Sequence, residues 1–287
     1  MNRPSLWFQI VNYAFFILLS IVTLYPFWYT LVGSLVPFEE FADQALLLLP
    51  RYVTFQAYEQ IFETSTIPNA YGITAFSTIV GTALNLLFTS IGAYVLSRRN
   101  LPGKMIFFTA ILFTMLFSGG LIPIYLTLHS YGLINNVWVY ILPSLINTFY
   151  LIIMKTSFHS IPDSLEEAAE IDGCSHFGIL FRIFLPLSLP VLATLGLFYA
   201  VDRWNELFTA LFFITDTDKY TLQAVLYNML TSVDTTTQNV ITTDRENMAT
   251  EQVKLATIIV AIVPILLVYP FLQRFFIKGV LIGSVKG

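Results

Sequence analysis

Long stretches of this chain carry no charged side chain at all. Asp, Glu, Lys and Arg are missing from residues 4–38, 64–97, 105–154 and 255–273, and residues 183–215 are broken only by Asp202, Arg203 and Glu206. Such runs cannot form a water-facing surface. A soluble domain carries about 25% charged residues, whereas here the share is 11%, against 56% hydrophobic. A helix crosses the hydrocarbon core with about 20 mostly apolar residues, so each run is read as membrane-spanning. Residues 105–154 are too long for one helix, and "LHSYGLINN" at 128–136 offers Ser, Gly and Asn for a dividing turn. The expected fold is all-α and polytopic, with six transmembrane helices at about 8–34, 70–97, 104–127, 137–157, 185–215 and 255–276, in one domain over 1–287.

Lys and Arg set the orientation. With the N-terminus in the cytosol, Arg3, Arg98, Arg99, Lys104, Lys155, Arg182, Arg274, Lys278 and Lys286 lie inside. Arg51, Lys219, Arg245 and Lys254 lie outside, and Arg203 falls within a span. Both termini and the loop 158–184 are then cytosolic, and loops 35–69 and 216–253 face outward. The uncharged run after Arg3 is too long for the apolar region of a signal peptide and reads as a first span.

Several chemistries find no support. One cysteine, Cys174, allows no internal disulfide. The histidines, His129, His159 and His176, are scattered, and no metal-ligand spacing occurs. No GxxxxGK[ST] loop is present, so any ATP must be bound by another chain. Nothing calls for nucleic acid. Ser77, Gly81, Gly92 and Ala93 are small residues that let helices approach closely. Ser118, Gly119, Gly120 and Pro123 should kink or interrupt the third span.

The densest charge lies in the cytosolic loop, at "HSIPDSLEEAAEIDG". Pro162 suits a first helical position, the acids suit the positive end of the helix dipole, and Gly173 suits a left-handed C-terminal position. Leu165, Ala168, Ala169 and Asp172 share the spacing of one nearly flat face. Surface-lying amphipathic helices favour Lys and Arg; this helix is acidic, which suits a protein cleft better than an anionic leaflet. A second short helix follows near "HFGILFRIF", and Pro186 and Pro190 govern the start of the fifth span.

The spacing Glu167-Ala168-Ala169, Gly173, Ile183, Leu185-Pro186, with Asp172 beside the glycine, resembles the EAA loop of ABC importer permeases. The "FSGGLIPIYL" segment and the terminal "FFIKGVLIGSVKG" are similar to the carbohydrate class of the maltose-transporter type, in the branch with lipo- and oligosaccharide permeases. The resemblance implies a type I ABC importer permease in the bacterial cytoplasmic (inner) membrane. It implies that the loop is a coupling helix docked on a cytosolic ATPase, through Glu166, Glu167, Ala168, Ala169, Asp172, Gly173, Ile183, Leu185 and Pro186. It further implies a second permease subunit, two copies of the ATP-binding subunit carrying ATP and Mg, and an extracytoplasmic sugar-binding protein. In this family the terminal tail can reach into the ATPase dimer; a short tail with snorkelling lysines is the plainer alternative.

In the fifth span, "YAVDRWNELFTA" carries Asp202, Arg203, Trp204, Asn205 and Glu206. Each unpaired charge would cost roughly 2.5–3.5 kcal/mol on insertion scales. Arg203 and Glu206 are spaced to pair. One reading is a structural ion pair; the other is a polar substrate path in which Trp204 and Asn205 contact a sugar. One arginine against two acids mildly disfavours a polyanionic substrate. A secondary transporter or channel acting without an ATPase would want an internal repeat, and an intramembrane enzyme would want a Ser/His or metal cluster. The sequence shows neither.

Overall fold

The computed structural model describes residues 5–37, 41, 49–63, 65–98, 101–236 and 251–268, with the backbone alone at 232–236. The terminal tail after 268, including Arg274, Lys278 and Lys286, lies outside these residues, as do Arg99 and parts of both outward loops. The described residues are helical with short turns and no strand, as the apolar runs predict. The chain forms two compact units, Met1–Pro68 with Leu226–Pro264 and Asn69–Val225 with Ile265–Gly287.

In the first unit, α1 (Leu6–Gly33) starts at Ser5, whose hydroxyl accepts from the Phe8 N–H at 3.4 Å. This helix is apolar all round, and nearly all its large side chains are exposed in the isolated chain, as expected for a helix solvated by lipid or partners. Its serine and threonine hydroxyls stay satisfied within it: Ser20 donates to the Phe16 carbonyl at 2.7 Å, Thr23 to that of Leu19 at 2.8 Å and Thr30 to that of Pro26 at 2.8 Å. The short α2 (Gln56–Glu63) brings Tyr58 within 2.7 Å of the Ser34 hydroxyl. Gln252, in the apolar helix Glu251–Val268, donates to the Val36 carbonyl at 2.7 Å. A Cβ on Gly33 would stand 2.7 Å from Leu255 Cδ1, so a side chain there would displace the end of Leu255.

The second unit is built around α3 (Thr66–Ser97), most of which belongs to it. Its small residues act as expected: Ala93 is fully buried, and a Cβ on Gly92 would lie 3.2 Å from Leu151 Cδ1. After it come α4 (Lys104–Leu116), α5 (Leu121–Ser130), 3-10 turns at Val137–Tyr140 and Leu142–Ser144, and α6 (Thr148–His159). The dividing turn falls where the sequence places it. Gly132 has φ +67°, its N–H donates to the His129 carbonyl, and the Leu133 N–H donates to that of Leu128. The Ser-Gly-Gly segment interrupts the third run outright: α4 and α5 meet at 114°, with Gly120 at φ +87°. Pro123 then sits in the first turn of α5, where a missing N–H is harmless.

Three helices, α1, α3 and Glu251–Val268, are each long and apolar enough to cross a membrane alone. Three bent pairs qualify if each counts as one crossing: α4 with α5, Val137–Ser144 with α6 at 48°, and α8 (His176–Leu187) with α9 (Leu189–Trp204) at 87°. The fifth run is therefore not one continuous helix. Pro190 has no N–H for the Pro186 carbonyl, and the bend falls between them at Ser188. At the other end α9 stops at Trp204, and the chain resumes as α10 (Phe208–Phe213).

Candidate functional site

The acidic helix forms as α7 (Asp163–Ile171). Pro162 is its N-cap, one position earlier than the sequence suggests, a difference within the usual fraying of helix ends. Its C-terminus is a complete Schellman closure: the Gly173 N–H donates to the Glu170 carbonyl at 3.0 Å and the Cys174 N–H to the Ala169 carbonyl at 2.9 Å. Gly173 adopts φ +76°, with open space where a Cβ would go. The need for glycine there is conformational, not steric.

The two alanines separate. Ala169 is 7% exposed and packs in the core with Phe158, Ile179 and Leu180, so it is not part of an outward flat face. Ala168, Glu167 and Asp172 are exposed, with Leu165 and Ile171, the latter 87% exposed. Of the other positions in the pattern, Ile183 and Leu185 are half-buried against the core, while Pro186 is exposed. Ile183 lies in a π turn, Leu180–Phe184. The outward surface thus includes Ile171 and Phe177, which the family spacing does not single out; the polar residues beside them on exposed helical positions were the available signal.

Glu166 turns inward. Its Oε1 accepts from the Tyr94 hydroxyl at 3.1 Å and lies 2.7 Å from Arg98 Nη2. The same Nη2 is 2.5 Å from Glu170 Oε1, and Arg98 Nη1 is 2.9 Å from His176 Nδ1. The guanidinium also lies 5.6 Å from the Tyr94 ring centre. Burial alone would lower the Arg98 guanidinium, but the Glu170 hydrogen bond and the nearby carboxylates outweigh it, and the net direction is upward. Exposed pairs of this kind contribute up to about 1 kcal/mol, so the cluster orients more than it stabilises. A cleft of about 500 Å³ opens beside it, lined by Arg98, Phe158, Asp163, Glu167 and Phe184 among others.

The charges at the end of α9 do not form the ion pair that is one of the two readings of their spacing. Arg203 is 4% exposed, yet it does not pair with Glu206. Its Nη2 donates to the Ser144 carbonyl at 2.8 Å and to Asn85 Oδ1 at 3.1 Å. Its Nη1 donates to the Ser144 hydroxyl at 2.9 Å and to the Tyr140 carbonyl. The 3-10 turns after α5 explain this: they leave carbonyls without intrahelical partners, and a planar five-donor guanidinium can gather them. Gly81 makes room, since a Cβ there would stand 3.2 Å from Arg203 Nε.

The neighbouring groups look elsewhere. Asp202 is exposed and accepts from the Tyr150 hydroxyl at 2.9 Å. Asn205 is exposed and accepts from Gln223 Nε2 at 3.3 Å. Glu206 accepts from the Thr209 N–H at 3.2 Å and is half-buried. Trp204 is buried with its ring edge-on to Tyr71, centroids 5.7 Å apart, so it presents no open face to a sugar. The five candidates therefore divide into a buried anchor, Arg203 with Trp204, and an outer rim, the exposed Asp202 and Asn205 with the half-buried Glu206. Among the described residues, no group of three or more His, Cys, Asp or Glu could hold a metal ion.

The chain as a whole is similar to known proteins. The family described as "Binding-protein-dependent transport system inner membrane component" matches residues 87–282. Protein LplC of Bacillus subtilis (strain 168) is 45% identical over 98% of this chain and 95% of its own length. The polygalacturonan/rhamnogalacturonan transport system permease protein YtcP of the same organism is 42% identical over 98% of each. A chain from the crystal structure of a bacterial ABC transporter involved in the import of the acidic polysaccharide alginate superposes with TM-score 0.86 at 31% identity, covering 96% of this chain and 99% of that one.

Proposed function

This chain belongs to the family of binding-protein-dependent transport system inner membrane components, and on that premise we propose that it forms half of the translocation path of an ATP-driven oligosaccharide importer. As a permease subunit it is not itself an enzyme; ATP and Mg belong to the partner ATPase. The observation that carries the reading is likeness along the whole chain, at 45% and 42% identity to the two Bacillus proteins and TM-score 0.86 to the alginate-importer chain. Two of these three are named for polysaccharides, which supports a saccharide cargo. They also run against the mild expectation of a non-acidic one. The tally of one arginine against two acids loses force because Arg203 is engaged by neutral acceptors and Asp202 by Tyr150.

In this reading the two units serve one permease domain over 1–287 with six crossings, each bent pair counting as one, and both termini lie in the cytosol. The outward side of α7, with Glu167, Ala168 and Asp172, meets the ATPase, while Gly173, Ile183, Leu185 and Pro186 shape the loop behind it. Asp202, Asn205 and Glu206 face the substrate path. A second, different permease completes that path, two ATPase copies drive it, and an extracytoplasmic sugar-binding protein delivers cargo to the outward loops. The complex resides in the cytoplasmic membrane of a bacterium.

The test is binding-protein-dependent ATPase stimulation in the reconstituted complex, across acidic and neutral oligosaccharides. Stimulation by at least one member is expected. A complex that no oligosaccharide stimulates would remove the cargo class.

A further inference from the structure

Arg98 is the residue that ties the acidic helix to α3 by charge, beside the core packing of Ala169. It stands immediately after α3, and its side chain reaches two carboxylates one helical turn apart on α7, Glu166 at 2.7 Å and Glu170 at 2.5 Å. A helix held by one contact can still rotate about its axis; contacts at i and i+4 fix its azimuth, because they lie on one face. The backbone of Arg98 is itself held. Lys104, at the start of α4, donates from Nζ to the Arg98 carbonyl at 2.8 Å and to that of Ser97 at 3.3 Å. Tyr94, one turn back on α3, adds a donor to Glu166 and packs edge-on against Phe184 at 5.0 Å. One residue therefore joins α3, α4 and α7, and His176 of α8 closes the set.

We propose that Arg98 is a positioning residue that transmits movement of the acidic helix into α3. Glu166 and Glu170 are its partners on α7, and Glu167, which is not bridged to it, is the glutamate that faces the ATPase. The proposal rests on the importer reading above. The contacts lie on the side of α7 opposite the exposed Ala168, so a push on that outer face is delivered to the guanidinium. Without it α7, nine helical residues between Pro162 and Gly173, would be held by its ends, the core packing of Ala169 and the Tyr94 bond to Glu166, with no ionic tie to α3. Coupling between moving bodies needs an element that both sides bias, and this contact supplies it.

The experiment measures ATP hydrolysed per sugar imported by the complete complex in proteoliposomes, with co-purification of the ATPase as the assembly control. R98Q is expected to assemble and to raise that ratio about fivefold or more, the range typical of coupling terms. E166Q/E170Q should show the same loss, and R98Q added to it should cost no more than about another twofold, since residues in one network are not additive. A wild-type ratio in R98Q, or losses that multiply, overturns the proposal. Should R98Q fail to assemble, E170Q decides, because it keeps Arg98 and Glu166; a ratio within about twofold of wild type overturns the proposal. A wild-type complex that its binding protein does not stimulate would sink the importer reading together with the latch. Stimulated wild type with unaffected variants sinks the latch alone.

Discussion

Arg203 donates twice to Ser144, to its carbonyl at 2.8 Å and to its hydroxyl at 2.9 Å. A buried cation is thus stabilised by a turn rather than by a carboxylate. Hydrogen bonds to charged groups contribute about 1.5–3 kcal/mol each, and an orphaned acceptor costs on the same scale. Arg203→Lys keeps the charge but cannot span the carbonyls of Tyr140 and Ser144 together with Asn85. It should lose about 1–3 kcal/mol, read as a lower unfolding temperature of the detergent-solubilised complex. Gly81→Ala should lose less, and the double variant should show coupling between the two sites, because a Cβ at 81 crowds the same guanidinium.

Ala168 and Ala169 give opposite outcomes. Ala169→Arg forces a charged side chain into a packed core, which costs several kcal/mol, so it should reduce the amount of assembled protein. The sequence alone puts both alanines on one nearly flat face; the burial of Ala169 separates them. Ala168→Arg meets no core and should leave insertion intact while abolishing uptake. Membrane yield and sugar uptake, measured side by side, separate the two.

Gly173 is required for its backbone. A β-branched residue at φ +76° is a severe outlier, and the left-handed region costs other residues about 1–2 kcal/mol. Gly173→Val should impair uptake strongly, whereas Gly173→Asn, which tolerates that region, should retain most of it. Equal loss in both would place the requirement in side-chain volume instead, against the open space seen there.

Tyr150→Phe removes the donor to Asp202 and leaves that carboxylate to solvent or cargo. Stability should change by no more than about 1 kcal/mol. The apparent KM for sugar should shift, with binding-protein-independent ATPase unchanged. An unmoved KM would take Asp202 off the substrate path.

Gly33→Val places methyl groups against Leu255, where even a Cβ would be at 2.7 Å. Overpacking of this kind costs about 1–3 kcal/mol, and thermal unfolding of the purified protein should show it.

The helical class, the dividing turn near Gly132 and the left-handed Gly173 were all legible in the sequence, because each rests on local chemistry: charge-free runs or a residue with a forced dihedral. The side of α7 on which each alanine falls was not. Periodicity names a face without saying what covers it, and alanine fits core and cleft equally well. The partners of Arg203 were hidden for a different reason. Spacing proposes side chains at i+3 and i+4, but the acceptors here are carbonyls from residues 140 and 144, exposed by 3-10 turns that no motif announces. Arg98 was counted only as an inside charge, and the pair of glutamates one turn apart was the sign that a cation would be drawn to them.

The peptide N–H that completes the closure of α7 belongs to Cys174, the single cysteine of the chain. This chain therefore carries one thiol, half-exposed, directly behind the acidic helix. A fluorophore or spin label attached there in the otherwise unaltered chain would report on that helix during turnover, with no background labelling from this subunit.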